Sequence, residues 1–320
     1  GVCIAFLIMP LLFYMYGSSH KEKFNTSDVV SYNHKIRVIG SNISLDRFYL
    51  NIDPVSVIND LIEISEPTKN EKTIFVWPEG IIPEISQKEL FEYKWLFEKR
   101  FNKNHLLLIG INSQTTNKES INYFNSMSIY DHNLELLNFY NKVNLVPFGE
   151  FLPFENKLKT LGLRSITNNY QSFSKGNRRE IMEINREGFS IKILPLICYE
   201  IIYSGKIFTN SNFDLMINIS EDGWFGNSIG PKQHFTHSIF RAIESGKYLL
   251  RSANNGIAAI INPLGIVEQK VEYGKSGYVD FKESKKMQPT LFAKYGNKIF
   301  ITIILLYIFI IFSFNRIKNE

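Results

Sequence analysis

The stretch Ile191–Glu200, IKILPLICYE, is an apolar run that closes on a thiol and a carboxylate, and its reading decides the fold. It reads as a strand leading to Cys198, which then stands at the strand's carboxyl end, immediately before an expected helix start. In layered α/β sheets the crevice beyond the carboxyl ends of the strands is where ligands bind. Two further segments share this design. In Thr73–Glu79, TIFVWPE, the strand runs into Pro78, which cannot continue a central ladder, so Glu79 is expected at its end. In Tyr140–Pro153, YNKVNLVPFGEFLP, Lys142 follows the apolar run Leu134–Tyr140 and precedes a turn pinned by two prolines and a glycine. Glu150 lies in that rigid apolar setting, and because burying a lone carboxylate is expensive its expected partner is Lys142.

Outward from these segments, short apolar strands are expected at Ile36–Val38, Thr73–Trp77, Leu106–Ile111, Met127–Tyr130, Ile191–Ile197, Leu215–Ile219, Tyr248–Arg251 and Ile257–Ile261. Helical periodicity falls between several of them, at Pro54–Ile64, Gln87–Phe101 and Pro231–Gly246. No repeat or low-complexity linker intervenes, so residues 25–290 read as one layered domain of the α/β or α+β class.

Both ends of the chain are apolar. Ile299–Phe314, IFITIILLYIFIIFSF, carries no charge and would span roughly 24 Å as a helix, with Asn297, Asn315 and the stems of Lys298 and Arg316 making up the rest of a bilayer core. A transmembrane helix is expected over 297–315. Residues 1–17 are a second uncharged run without a basic leader region, and read as the end of another membrane helix. Lys294 and Lys298 on one side of the C-terminal run, with Arg316 and Lys318 on the other, leave its orientation open.

Of the 320 residues 21% are charged and 44% hydrophobic, which is globular rather than disordered composition. A net charge of +5 without a basic, aromatic-interleaved stripe argues against nucleic acid as a partner. Only Cys3 and Cys198 are present, which excludes a disulfide framework and cysteine-only metal sites.

The three segments supply complementary chemistry. Cys198, at the start of a helix, is expected to have its pKa lowered toward thiolate. Glu79 supplies a base for the thiol. Lys142, with backbone N–H groups, stabilises the oxyanion formed on attack at a carbonyl. Glu150 and Glu200 then orient the lysine and the substrate. A histidine base is the competing reading: His234 and His237 stand three apart on one face of an expected helix, as a base or as two metal ligands. No second His or Cys cluster completes a metal site, and ordinary packing is the expected account.

Taken together, Trp77–Glu79, Lys142 with Leu145–Pro153, and Cys198–Glu200 resemble the three catalytic segments of the nitrilase superfamily. More narrowly they resemble the apolipoprotein N-acyltransferase family, to which Asn218–His234 and Leu250–Gly256 are also similar. The resemblance implies a nitrilase-like αββα sandwich over 25–290, flanked by transmembrane helices, multi-pass in the full-length form. It implies an inner-membrane enzyme whose catalytic domain faces the periplasm, with no cofactor and no metal. Glu79 would be the general base, Lys142 the oxyanion stabiliser, Cys198 the nucleophile and Glu150 the support of Lys142. A phospholipid would acylate Cys198, and the α-amino group of an apolipoprotein's diacylglyceryl cysteine would accept the chain. Tyr199 and Trp224 would lie on the lipid-access side, with Trp77 and Glu200 as supporting residues. Family members carry several N-terminal membrane helices, of which only the last is expected here. Glu221 and Gly223 replace an expected Asn and Ala beside Asp222. The alternatives are a membrane-anchored C–N hydrolase and an inactive truncated scaffold.

Overall fold

The apolar runs form strands because both of their faces find a covering layer, which is how sheets buried on two sides are written in sequence. The structure is a computed structural model that describes residues 2–82, 84–117, 120–153, 172–186, 188–205 and 212–318. In one wing of the sheet, β1 (Val29–Ser41), β2 (Thr73–Val76) and β3 (His105–Asn117) run parallel. Strands β4 (Ser120–Asp131) and β5 (Leu136–Asn141) extend it antiparallel. In the other wing, β6 (Met182–Arg186) pairs antiparallel with β7 (Phe189–Ile197), which continues parallel into β8 (Leu215–Glu221) and β9 (Leu249–Asn254). Strands β10 (Ala258–Ile261) and β11 (Val267–Val271) follow β9, and β12 (Gly277–Lys285) returns antiparallel to β1. The wings meet where β1 and β9 pair for two residues, Gly40 with Ala253 and Ser41 with Asn254.

Alternation along the strands sorts their side chains. Ile36, Val38, Ile74, Val76, Leu106 and Leu108 share an inner core with Ile191, Ile193, Leu215, Ile217 and Leu250 of the other wing. The outer-facing Phe75, Leu107 and Ile109 pack against α2 (Pro54–Ser65) and α3 (Lys94–Phe97). Leu194, Leu196, Met216 and Leu249 pack against α4 (Gly230–Ser245). The order is helix, sheet, sheet, helix, the sandwich that the resemblance implies.

Helix α2 begins where Asp53 accepts the Val55 N–H, with Pro54 at its first position. The long helix expected over Gln87–Phe101 is broken: a 3-10 turn at Glu89–Tyr93 leads into the four residues of α3. There the Glu89 carboxylate caps the Ser86 N–H, and Phe91 and Trp95 face solvent instead of extending an apolar stripe. Strands β6, β11 and β12, which the sequence did not single out, are polar on one face; β11 reads VEQKV with its middle three residues exposed.

Helix α1 (Val2–Thr26) continues well past Gly17 and is fastened at its end by Lys285 Nζ, which donates to the carbonyls of Phe24 and Asn25. At the other end α5 (Leu291–Tyr295) leads into α6 (Lys298–Lys318). Among the described residues no helix is long and apolar enough to cross a membrane. Side chains are described in α6 as far as Phe312, so Asn315 and Arg316, expected to reach the membrane surface, lie outside the described side chains.

Candidate active site

Cys198 is the first residue of a 3-10 turn, Cys198–Ile202, entered directly from β7. Its φ is +47°, a left-handed conformation that costs a non-glycine residue about 1–2 kcal/mol and persists only where neighbours enforce it. Much of that enforcement comes from Glu200, which is fully buried. Its Oε2 accepts the Ile197 N–H at 2.9 Å, gripping the strand just before the thiol. Its Oε1 accepts from Tyr140 Oη (2.7 Å), Arg179 Nη2 (2.8 Å) and the Val143 and Asn144 N–H groups (both 3.0 Å). Glu200 therefore ties the thiol's turn to the Lys142 segment and stands as a brace.

Lys142, 1% exposed, follows the end of β5, and its Nζ lies 2.8 Å from Glu150 Oε1 and 3.2 Å from Glu79 Oε1. The same two oxygens are bridged by Asn125 Nδ2 of β4, at 2.8 and 2.7 Å. One ammonium and one amide thus link two carboxylates in a ring. Glu79 Oε2 accepts the Glu221 N–H at 2.9 Å, and Glu150 Oε2 the Val146 N–H at 2.8 Å. Glu79 sits at the end of β2 as expected, and Gly110 of β3 allows it: a Cβ there would lie 2.3 Å from the Pro78 carbonyl oxygen and 2.5 Å from Glu79 Cα. Asn125 was not singled out by the sequence, because it stands among other polar residues of β4. Its Oδ1 is buried without a hydrogen-bond partner among the described residues, so its nitrogen makes the contacts that matter here.

The electrostatics correct one expectation. Burial pushes the Cys198 thiol up from its ordinary pKa, and the Glu79 carboxylate adds to this while Lys142 opposes it. The thiol rests protonated because a five-residue 3-10 turn offers a weak dipole against a dense, carboxylate-rich surround. Burial disfavours the Lys142 ammonium, but Glu79 and Glu150 outweigh it and hold its pKa well above lysine's usual value. The arrangement is a buried cation held between two carboxylates, with Glu79 and Lys142 acting in opposite senses on the thiol.

A second network lies behind the turn. Asp222 is fully buried; it accepts from Arg251 Nη2 through both oxygens at 2.8 Å and from Ser220 Oγ at 2.8 Å, with His234 Nδ1 2.9 Å away. His234 Nε2 lies 3.2 Å from the Cys198 carbonyl oxygen. His234 therefore belongs to a buried framework and does not face the thiol as a base. Gly256 makes room for it, since a Cβ there would meet Asp222 Oδ2 at 2.2 Å. Burial opposes the Asp222 carboxylate, but Arg251 and His234 bring its pKa down to about 2 from 3.8. A depressed carboxylate stabilises the fold above its ordinary pKa, and that stability is lost as pH falls through the folded value. Asp222→Asn is accordingly expected to lose about 2–5 kcal/mol at neutral pH, leaving Arg251 buried without its anion. Thermal melts across pH should show the gap from the parent narrowing between about pH 4 and pH 2; a constant gap would refute the assignment.

The remaining expected residues separate. Trp77 is fully buried, donates Nε1 to Ser65 Oγ at 2.9 Å and packs on Phe97, so it fills the layer under α2 and shares no partner with Glu79. The strand's alternation puts Trp77 with Phe75 on the helix-covered face, and the chain leaves the ladder at Pro78 before Glu79. Tyr199 is half-buried against the edge of Tyr203. Trp224 is 55% exposed and stacks on Phe48 at 5.2 Å. Beside that stack, Arg47 forms a buried ion pair with Glu221, whose Oε2 also accepts from Asn254. Glu221, the departure noted beside Asp222, thus has a cation of its own, and its backbone N–H is the group that holds Glu79.

Comparison with known proteins fits this geometry. The apolipoprotein N-acyltransferase of Wigglesworthia glossinidia brevipalpis is 37% identical over 331 residues, covering 99% of this chain and 61% of that protein. That of Rhodopseudomonas palustris is 30% identical over 276 residues, covering 83% and 51%. The chain spans about half to three fifths of the length of these curated relatives. Among solved structures, Nit3 of Saccharomyces cerevisiae, a member of the nitrilase superfamily, superposes with TM-score 0.51 at 15% identity over 78% of this chain and 90% of that one. A glutamine-dependent NAD+ synthetase from Acinetobacter baumannii does so with TM-score 0.54 at 13% identity, over 80% of this chain and 48% of that one. Residues 60–279 match the carbon–nitrogen hydrolase family. That match runs from within α2 to within β12 and takes in every element that carries Glu79, Lys142 and Cys198, so the chain belongs to the carbon–nitrogen hydrolase family.

Proposed function

We propose that this chain carries the catalytic domain of an apolipoprotein N-acyltransferase, moving a fatty acyl chain from a phospholipid through a Cys198 thioester to the α-amino group of a diacylglyceryl cysteine. The observation that carries the reading is the ring of Lys142, Asn125, Glu79 and Glu150 coupled to a strained thiol. The relatives' shared name supplies the acceptor class.

In the first half-reaction Glu79 takes the thiol proton as Sγ bonds to the ester carbonyl carbon, and Lys142 faces the oxyanion. The ester C–O bond breaks, the proton passes from Glu79 to the departing alkoxide, and a lysophospholipid leaves. In the second the amine attacks the thioester, a C–N bond replaces the C–S bond, and an amine proton returns through Glu79 to the sulfur.

Membrane attachment belongs to the same reading. Between Phe300 and Phe312 helix α6 exposes large apolar side chains on every side, including Phe300, Leu305, Phe309 and Phe312. A helix apolar all round is at home in a protein core or in lipid, and each large side chain left in water forgoes about 1.5–3 kcal/mol. Tyr199 and Trp224 are assigned to the lipid-access side, Trp224 because it is an exposed aromatic beside the Glu221 segment. The catalytic domain is assigned to the periplasmic face of the inner membrane.

Incubation with phospholipid, followed by intact-mass measurement, tests the reading. An acyl-sized adduct is expected that hydroxylamine removes, that Cys198→Ala prevents, and that a lipopeptide amine discharges by aminolysis. Discharge by water alone would favour a C–N hydrolase; no adduct on a version carrying all its membrane helices would overturn the acyltransferase.

A further inference from the structure

His234 has not been given a task, yet its imidazole is wedged between the Asp222–Arg251 pair and the backbone of the nucleophile. Nε2 is 3.2 Å from the Cys198 carbonyl oxygen; Nδ1 is 2.9 Å from Asp222 Oδ1 and 3.1 Å from Arg251 Nη2. Nδ1 either donates to Asp222 or accepts from Arg251. Nε2 has no such choice, because a carbonyl oxygen only accepts. Nε2 therefore serves as the donor to Cys198 O, with Nδ1 accepting from Arg251 Nη2.

That bond fixes more than the carbonyl. A trans peptide is planar, with its C=O and N–H on opposite sides, and no peptide bond among the described residues is cis. Holding the Cys198 carbonyl against His234 therefore aims the Tyr199 N–H the other way. That N–H lies in the first turn of the Cys198–Ile202 helix, where helical hydrogen bonding supplies no acceptor. The peptide has a reason to need holding, since the φ of +47° at Cys198 is sparsely populated for a non-glycine residue.

We propose that His234 is a positioning residue that locks the Cys198–Tyr199 peptide plane, so that the Tyr199 N–H joins Lys142 as an oxyanion donor. The proposal rests on the reading of Cys198 as nucleophile. Asp222 and Arg251 hold the ring from one side, the Phe225 ring lies 5.3 Å away, and His237 follows on the same helix.

Two reagents separate this role from simple support of the fold. Iodoacetamide alkylates a thiol through a step with no oxyanion. p-Nitrophenyl acetate acylates it through one: the Sγ–C bond forms, the ester C–O bond breaks, p-nitrophenolate leaves and the thiol proton goes to Glu79. His234→Asn keeps a polar group facing Asp222 and Arg251 but is too short to reach Cys198 O. His234→Gln places an N–H near the position of Nε2. Loss of one oxyanion donor is worth roughly 100-fold, so His234→Asn should be acylated about that much more slowly at Cys198. Its alkylation should stay within about threefold of the parent, and His234→Gln should be near the parent with both reagents. Parallel slowing of both reactions in His234→Asn, or equal acylation of the two variants, would overturn the proposal. A parent that neither reagent modifies at Cys198 would overturn the nucleophile reading and the proposal with it.

Discussion

Lys142→Met is expected to weaken the fold and stop the chemistry together, and a second substitution should pull the two effects apart. The Lys142 ammonium is buried between Glu79 and Glu150, at 3.2 and 2.8 Å. Methionine fills a similar volume but leaves the two carboxylates with neutral donors in place of the cation: Asn125 Nδ2, which they share, and the Glu221 and Val146 N–H groups. Removing one partner of a buried ion pair costs about 3–5 kcal/mol, because the charge left behind is neither solvated nor paired. Loss of the cation facing the oxyanion should slow acylation by a further 100- to 1,000-fold or so. In the double variant Lys142→Met/Glu150→Gln one of the stranded charges is gone. Thermal stability should recover by about half or more, since the penalty lies in the unpaired charge rather than in lost packing. Acylation, measured as the single-turnover burst with an activated ester, should not recover. A Lys142→Met protein that acylates within tenfold of the parent would remove lysine from the mechanism.

The sequence disclosed the site in proportion to how local its signals are. Glu79, Lys142 and Cys198 each close an apolar run, and the structure sets all three at or just beyond strand ends. The outer helices α2 and α4 fell within a residue or two of expectation because proline marks both starts and Gly246, at φ +64°, stops the second. Tertiary partners were not legible. Nothing at Asn125 announces that its amide will bridge residues 46 positions before it and 25 after it. Nor does Arg47, in a short 3-10 turn, announce Glu221. Trp77 lies two residues from Glu79, yet Pro78 takes the chain out of the ladder between them, so Trp77 packs under α2 while Glu79 reaches Lys142. The thiol's pKa direction was missed because a helix start can be read from sequence, whereas desolvation by layers from elsewhere in the chain cannot.

Glu79→Gln should convert an acylation rate that needs little help from hydroxide into one that depends on it. Burial is the largest cause of the raised thiol pKa at Cys198, and Glu79 is the second. The substitution removes the second cause and leaves the first, so the thiol remains mostly protonated at neutral pH with no carboxylate to take its proton. Below its pKa a thiol's ionised fraction rises tenfold per pH unit, and the residual rate of Glu79→Gln should follow with a log–log slope of about 1 between pH 7 and pH 9. The parent, whose thiol proton goes to Glu79 rather than to hydroxide, should be nearly flat there. General-base assistance is worth about 100- to 10,000-fold, so the two profiles should lie furthest apart at pH 7 and converge as the pH rises. Glutamine preserves the shape of the side chain, and its amide oxygen can still accept from Lys142 Nζ and Asn125 Nδ2 in place of Oε1. Its amide nitrogen then meets the Glu221 N–H, donor against donor, which costs about 1–3 kcal/mol of stability. Parallel profiles for parent and variant, offset but with equal slopes, would mean that Glu79 holds Lys142 in place and that another group takes the proton.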